Sequence, residues 1–249
     1  MSCPITVQLL EVDSLEEWKG HARGLIRREI SPDQVLWKTH YSPGDLFAHG
    51  KSEISSGGEP VFTVPRAFVG LAGSVILHRS DERFSMLYEL LFRIHRAPHI
   101  MQDAADPLIR RLNHMAKAVG RDIHKMRAFV RFREMDGRYV AWFEPEHHIV
   151  RANAGFFRRR FASMQWSILT PDLCIHWNGS QLTESPGAER TDAPAGDPIE
   201  AIWRSYYASI FNPSRLKVKA MLKEMPKRYW KNMPEAELIP DLIKAAGNR

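Results

Sequence analysis

Residues 106–143 read DPLIRRLNHMAKAVGRDIHKMRAFVRFREMDGRYVAWF, and the spacing of their apolar residues changes partway along. Leu108, Leu112, Met115, Val119 and Ile123 recur at steps of four and three, which predicts one apolar helix stripe over 106–126, with Pro107 in the first turn. From 128 onward alternation takes over: Ala128, Val130 and Phe132 fall on one side, Phe129, Arg131 and Arg133 on the other. Asp136-Gly137 is a turn signal, and 139–143 is a second apolar strand. The two segments are expected to pair as an antiparallel hairpin at the centre of a sheet.

Upstream, 5–12 alternates as an opening strand, and Ser14 stands three residues before Glu17, the spacing of a capping box. A helix is expected from there to about Ile30. Residues 31–63 hold Pro32, Pro43, Gly44, Gly57, Gly58 and Pro60, so they read as loops and short strands, with 34–38 the best strand. Pro65 opens a helix that runs to about Arg79, and another covers 82–95. Downstream, Pro145 begins a helix to about Ala162, and 166–169 and 174–177 are short strands. The expected fold is α+β: a small, mostly antiparallel sheet covered by helices, with a C-terminal helical subdomain. Its core spans 1–180, a loop or linker rich in Ser, Thr, Pro and Gly covers 181–196, and the helical subdomain covers 197–249. Three helices are expected there: after Asp197-Pro198, after Asn212-Pro213 and ending before Pro226, and after Pro234. Trp203, Tyr206 and Tyr207 are packing residues of the first.

The chain has 249 residues, 44% of them hydrophobic and 26% charged, with a mean hydropathy of −0.35. That is apolar enough to bury a core. No apolar run reaches the roughly 18–20 residues of a membrane span, and no basic segment precedes an apolar one at the start, so no signal peptide is expected. Cys3 and Cys174 are too few for a disulfide framework or a four-cysteine zinc site. A reducing cytoplasm is the expected setting. The net charge of +6 is unevenly placed. Residues 105–165 hold 13 Lys and Arg against 6 Asp and Glu, residues 199–249 hold 10 against 5, and the remainder is acidic. Basic residues gathered in this way suit a polyanion.

The helix over 106–126 gives that charge a direction. Arg110, His114, Lys117, Arg121 and Lys125 follow the steps of the apolar stripe, displaced by two residues. Two residues are about 200° on a helix, so the basic stripe faces away from the core. It serves either as a solvated face or as a track for phosphates, and its lack of acids favours the track. His124 extends it toward the hairpin. On the expected strand, Phe129 beside Arg131 and Arg133 suits base stacking, or else Phe129 lies under a covering helix. Trp142 is the second stacking candidate. Arg158 and Arg159 add charge at a helix end, where cations also favour the dipole.

The densest titratable cluster is Glu144-Pro145-Glu146-His147-His148, at a strand-to-helix junction. Glu146 has the chemistry to activate water, and His147 or His148 to stabilise a departing anion. Asp172, after the strand 166–169, is the other candidate carboxylate. The same cluster also reads as a solvated helix start with one packed histidine. Neither a zinc-protease spacing nor paired cysteines occur, so no metal is expected. Serine elbow, phosphate-binding glycine loop and dinucleotide fingerprint are absent, and no cofactor is expected.

Several stretches resemble a domain of unknown function found in probable DNA metabolism or repair proteins. They are 121–132 (RDIHKMRAFVRF), 142–147 (WFEPEH), 156–161 (FFRRRF), 166–171 (WSILTP), 203–207 (WRSYY) and 226–230 (PKRYW). In that family the domain stands alone, often beside a radical SAM protein, or is fused ahead of a UdgX-type uracil-DNA-binding domain. The residues here include no UdgX-type domain, and Phe211-Asn212-Pro213-Ser214 does not match the uracil-recognition loop, so that chemistry is not carried over. The resemblance implies a DNA repair or DNA metabolism protein that acts on damaged or modified bases, by DNA glycosylase-like hydrolysis of an N-glycosidic bond. The alternative is a non-catalytic DNA-binding or docking module for a uracil-DNA-binding or radical SAM partner. RNA binding is a third reading.

Overall fold

The computed structural model describes residues 4–39, 63–135, 137–193, 218–233, 236 and 238–240. The chain divides into two units, Met1–Asp122 with Glu146–Ile149, and Ile123–Pro145 with Val150–Arg249. The class is α+β, as the change of periodicity predicts.

In the first unit, strand β1 (Ile5–Leu9) leads into helix α1 (Leu15–Arg27). Ser14 caps the helix by accepting the Glu17 N–H at 3.2 Å. Glu17 does not return the bond to Ser14. Its carboxylate reaches further back and accepts the N–H groups of Leu10 and Glu11 at 2.7 and 2.9 Å. The chain returns as β2 (Val35–Thr39), parallel to β1 with Ile5 opposite Val35. Helices α2 (Arg66–Val75) and α3 (Glu82–Arg96) complete a core that holds Trp18, Trp37, Phe84, Leu87 and Tyr88. The fully buried Arg83 ties it together. Its guanidinium donates to the carbonyls of Ile76 at 2.8 Å, Ser80 at 2.9 Å and Val12 at 2.7 Å. Burial holds that guanidinium down at about 10. Asp106 opens helix α4 (Pro107–Phe129) by accepting the N–H groups of Leu108 and Ile109, and it is also paired with Arg93.

The second unit holds a five-stranded sheet in the order β3 (Arg133–Met135), β4 (Arg138–Trp142), β5 (Trp166–Leu169), β6 (Leu173–Trp177) and β7 (Leu182–Pro186). Three of its four pairings are antiparallel and β4–β5 is parallel. Helix α5 (Val150–Arg160) lays Phe157 against Trp166, with ring centres 6.2 Å apart. A short helix α6 (Val218–Glu224) follows, ending before Pro226 as expected.

Three expectations are corrected. Residues 128 and 129 are helical, and the hairpin strand is only Arg133–Met135, on the sheet's edge. Met126 is fully buried and continues the helix stripe, the Val130 N–H still bonds to the Met126 carbonyl, and Arg131 donates to the Ala128 carbonyl at 2.7 Å. These bonds at the helix end outweigh a short alternation. Gly137, at φ +77°, makes the turn to β4. Next, α5 starts at Val150 and not at Pro145. Finally, 181–196 is not all loop, because β7 pairs with β6 across it. The expected loops over 40–62, most of the helix after Asn212-Pro213, and the helices after Asp197-Pro198 and Pro234 lie wholly or largely outside the described residues.

Candidate functional site

The buried stripe of α4 is Ile109, Leu112, Met115, Val119, Asp122 and Met126. Asp122 occupies a core position and is 2% exposed. Its Oδ2 accepts the backbone N–H groups of Glu146 at 2.8 Å and His147 at 2.9 Å. The next amide, of His148, donates to the Leu77 carbonyl at 2.9 Å. The Ile149 N–H turns back onto the His147 carbonyl at 2.8 Å, a closure tighter than a helical turn, so the helix that Pro145 predicts does not begin over 146–149. They form instead a fixed loop of the first unit.

That loop sets His147 over the turn between α2 and α3. His147 is 7% exposed, and its Nδ1 accepts the Arg79 N–H at 3.3 Å. Its ring lies 4.5 Å from that of His78, at an interplanar angle of 32°. The His78 Nδ1 accepts the Ser80 N–H at 3.1 Å. Burial is the main cause that holds His147 at about 4, and the charges of His78, Arg79, His148 and Arg121 act in the same direction. Burial lowers His78 as well, followed by Arg83, Arg79 and His114. Both imidazoles are therefore neutral at pH 7. A neutral ring whose Nδ1 accepts a hydrogen bond carries its proton on Nε2.

On the opposite face of α4, Arg110, His114, Lys117 and Arg121 are all exposed in the first unit. His114 and Arg121 bring this face within electrostatic reach of His78 and His147 respectively. Glu146 is exposed next to His147, and His148 is half-buried. The first unit thus gathers Glu146, His147, His148, His114 and Arg121 from the expected set. Among the described residues no three His, Cys, Asp or Glu side chains come together to hold a metal.

The other expected residues belong to the second unit. His124, Arg158 and Arg159 are exposed, and Arg131 and Arg133 are half-buried. Lys125 leaves the basic track, because its Nζ donates to the carbonyls of Glu224 at 2.7 Å and Lys223 at 3.3 Å. It thereby caps the last turn of α6 with a cation. Phe129, on the helix, packs on Tyr229 at 5.2 Å. Trp142 is 8% exposed and donates through Nε1 to Glu144 at 2.8 Å. Asp172 is exposed on the β5–β6 turn.

Sequence reading passed over Asp122, His78 and Arg79. Asp122 had a visible signal. The steps 115, 119, 122 and 126 continue the apolar stripe, so an acid stands where a core residue belongs. His78 and Arg79 had none, since they meet His147 only through the fold. A further histidine, His176, lies between Ser167 at 2.9 Å and Ser185 at 2.8 Å, bridging β5, β6 and β7. Ser167 is buried, and this is a cross-strand polar cluster inside the sheet.

Residues 81–235 match the family model of a domain of unknown function, DUF4130. The chain belongs to this family. The matched stretch runs from α3 past α6 and takes in Asp122, Glu146, His147 and His148, whereas His78 and Arg79 lie just ahead of it. No curated protein and no solved structure matches the chain. No described helix is long and apolar enough to cross a membrane.

Proposed function

We propose that this member of the DUF4130 family binds DNA along the exposed face of α4 and hydrolyses the N-glycosidic bond of a damaged or modified base. The observation that supports this reading is the exposed run of Arg110, His114, Lys117 and Arg121, of which His114 acts on the charge of His78 and Arg121 on that of His147, the residue next to the exposed Glu146. Such a run neutralises successive phosphates. In the proposed reaction the C1′–N bond breaks and its electron pair leaves with the base. Water adds to C1′ and gives its proton to Glu146. His148, half-buried on the same loop, stabilises the charge on the departing base. The resemblance to DNA repair proteins supports the same reading.

Two expected results test it. Replacing Arg110, Lys117 and Arg121 together with Gln weakens binding to all DNA sequences and flattens the plot of log affinity against log salt by about 0.9 for each phosphate no longer neutralised. An unchanged slope would remove the α4 face from the interface. In the second test, duplexes carrying uracil or substituted cytosines are incubated with the protein and then treated with alkali, which breaks strands at abasic sites. Glu146→Gln lowers the rate on the order of a hundredfold with DNA affinity retained, the low end for a missing general base. Full activity in a folded Glu146→Gln protein would clear Glu146 of the chemistry. Tight DNA binding with no strand breaks on any duplex would favour a docking module for a UdgX-type or radical SAM partner.

A further inference from the structure

The His78–His147 pair has a geometry that packing alone does not require. Two imidazoles stack 4.5 Å apart, and neighbouring amides, those of Ser80 and Arg79, each fill an Nδ1. Both rings therefore carry their proton on Nε2, and the stack presents two N–H donors on edges turned from those amides. Arg79 and Arg121 are exposed, and among the described residues neither is paired with a carboxylate. The nearest buried acid, Asp122, directs Oδ2 at the Glu146 and His147 amides. His114 contributes from α4 on the His78 side.

We propose that His78 and His147, with Arg79, His114 and Arg121, form a binding site for a phosphate group. Two fixed guanidinium charges and two neutral N–H donors match a tetrahedral anion with several acceptor oxygens. Neutral rings avoid the repulsion that two stacked imidazolium ions would suffer beside two arginines. A bound phosphate reverses that balance, since its negative charge favours protonation of both rings. The source of the phosphate rests on the DNA-binding reading above, but the site itself does not. The phosphate is either a diester inside a strand or a terminal or free monoester.

The test is imidazole nitrogen NMR on the full-length protein. Before addition, both Nδ1 resonances are expected at the position of an unprotonated acceptor nitrogen at pH 7. Inorganic phosphate, a deoxynucleoside 5′-monophosphate and an oligonucleotide without terminal phosphates are then titrated separately. Saturable shifts of both Nε2–H groups support the site, and so does a rise of the His147 midpoint from its value of about 4. Response to the oligonucleotide assigns a diester. Response to the monophosphates alone assigns a terminal or free phosphate, and the site then stands although the DNA source fails. Arg79→Gln and His78→Asn each weaken the responding ligand tenfold or more. Both residues lie on the α2–α3 turn outside the core, so these variants stay folded. Silence of both rings toward all three probes overturns the site, even if DNA still binds along α4. Unchanged affinity in Arg79→Gln overturns it as well.

Discussion

Asp122→Ala is expected to lower the free energy of unfolding by about 4 kcal/mol at pH 7. The carboxylate is 2% exposed and accepts two backbone N–H groups, those of Glu146 and His147. Removing it leaves the buried His147 N–H and the part-buried Glu146 N–H without that acceptor, and a fully buried donor left in this way costs about 1–3 kcal/mol. The methyl of Ala also fills less of the core than the carboxylate does, which adds a void. Asp122→Asn keeps one acceptor oxygen and so loses less, about 1–2 kcal/mol, mainly the charge-assisted part of the bonds. Urea titration monitored by tryptophan fluorescence reads both differences. A loss below about 1 kcal/mol for Ala would mean that the 146–149 loop is held by its other bonds, the Arg79 amide on His147 and the Leu77 carbonyl on His148.

The same aspartate explains what the sequence made legible. Helix positions were readable wherever the cause was local. Ser14 caps α1 at the expected residue, Pro107 sits in the first turn of α4, and Gly137 makes the hairpin turn. Errors fell where a distant partner takes a group that local signals assign elsewhere. Pro145 is a sound helix opener, but the His148 N–H is drawn to the Leu77 carbonyl, the Arg79 N–H to the His147 ring, and the Ile149 N–H turns back to the His147 carbonyl. Ala128 and Phe129 alternate as a strand would, yet the buried Met126 extends the helix past them. A scan for apolar stripes selects Ile123 and steps over Asp122, because hydropathy cannot register a buried acid that is satisfied by backbone. The candidate site was half legible for the same reason. Glu146, His147 and His148 are adjacent in the chain, and their density drew attention. His78 and Arg79 come from a turn 68 or 69 residues away, and no spacing rule links them to that cluster.

His147 is expected to make the fold sensitive to mild acid, and the sign of its shift fixes the window. In the folded chain it titrates at about 4, below its ordinary value of 6.5. The unfolded chain therefore binds this proton first as pH falls. Stability is fully present above pH 6.5 and is lost progressively as pH falls toward 4, because the unfolded state holds more protons throughout that interval. A shift of this size corresponds to about 3 kcal/mol at the acid end. The cationic groups that hold the ring neutral come from three elements. Arg79 and His78 lie on the α2–α3 turn, Arg121 on α4 and His148 on its own loop, while the carboxylates of Asp122 and Glu146 that flank it favour the charged ring. His78 and His176 are lowered too and add to the loss with the same sign. Asp106, held down chiefly by its hydrogen bond to Arg93, has a carboxylate's range and contributes only at lower pH. His147→Asn separates these contributions, since its Oδ1 can still accept the Arg79 N–H but does not titrate. Urea unfolding at half-unit steps from about pH 7.5 to about pH 4.5 should give the variant a shallower decline, by approaching one proton's worth of slope, about 1.4 kcal/mol per pH unit. Parallel declines in the two proteins would place the acid sensitivity elsewhere and imply that His147 takes up its proton in the folded chain near the ordinary value. That result would also leave the His78–His147 pair without the neutral N–H donors assigned to a phosphate.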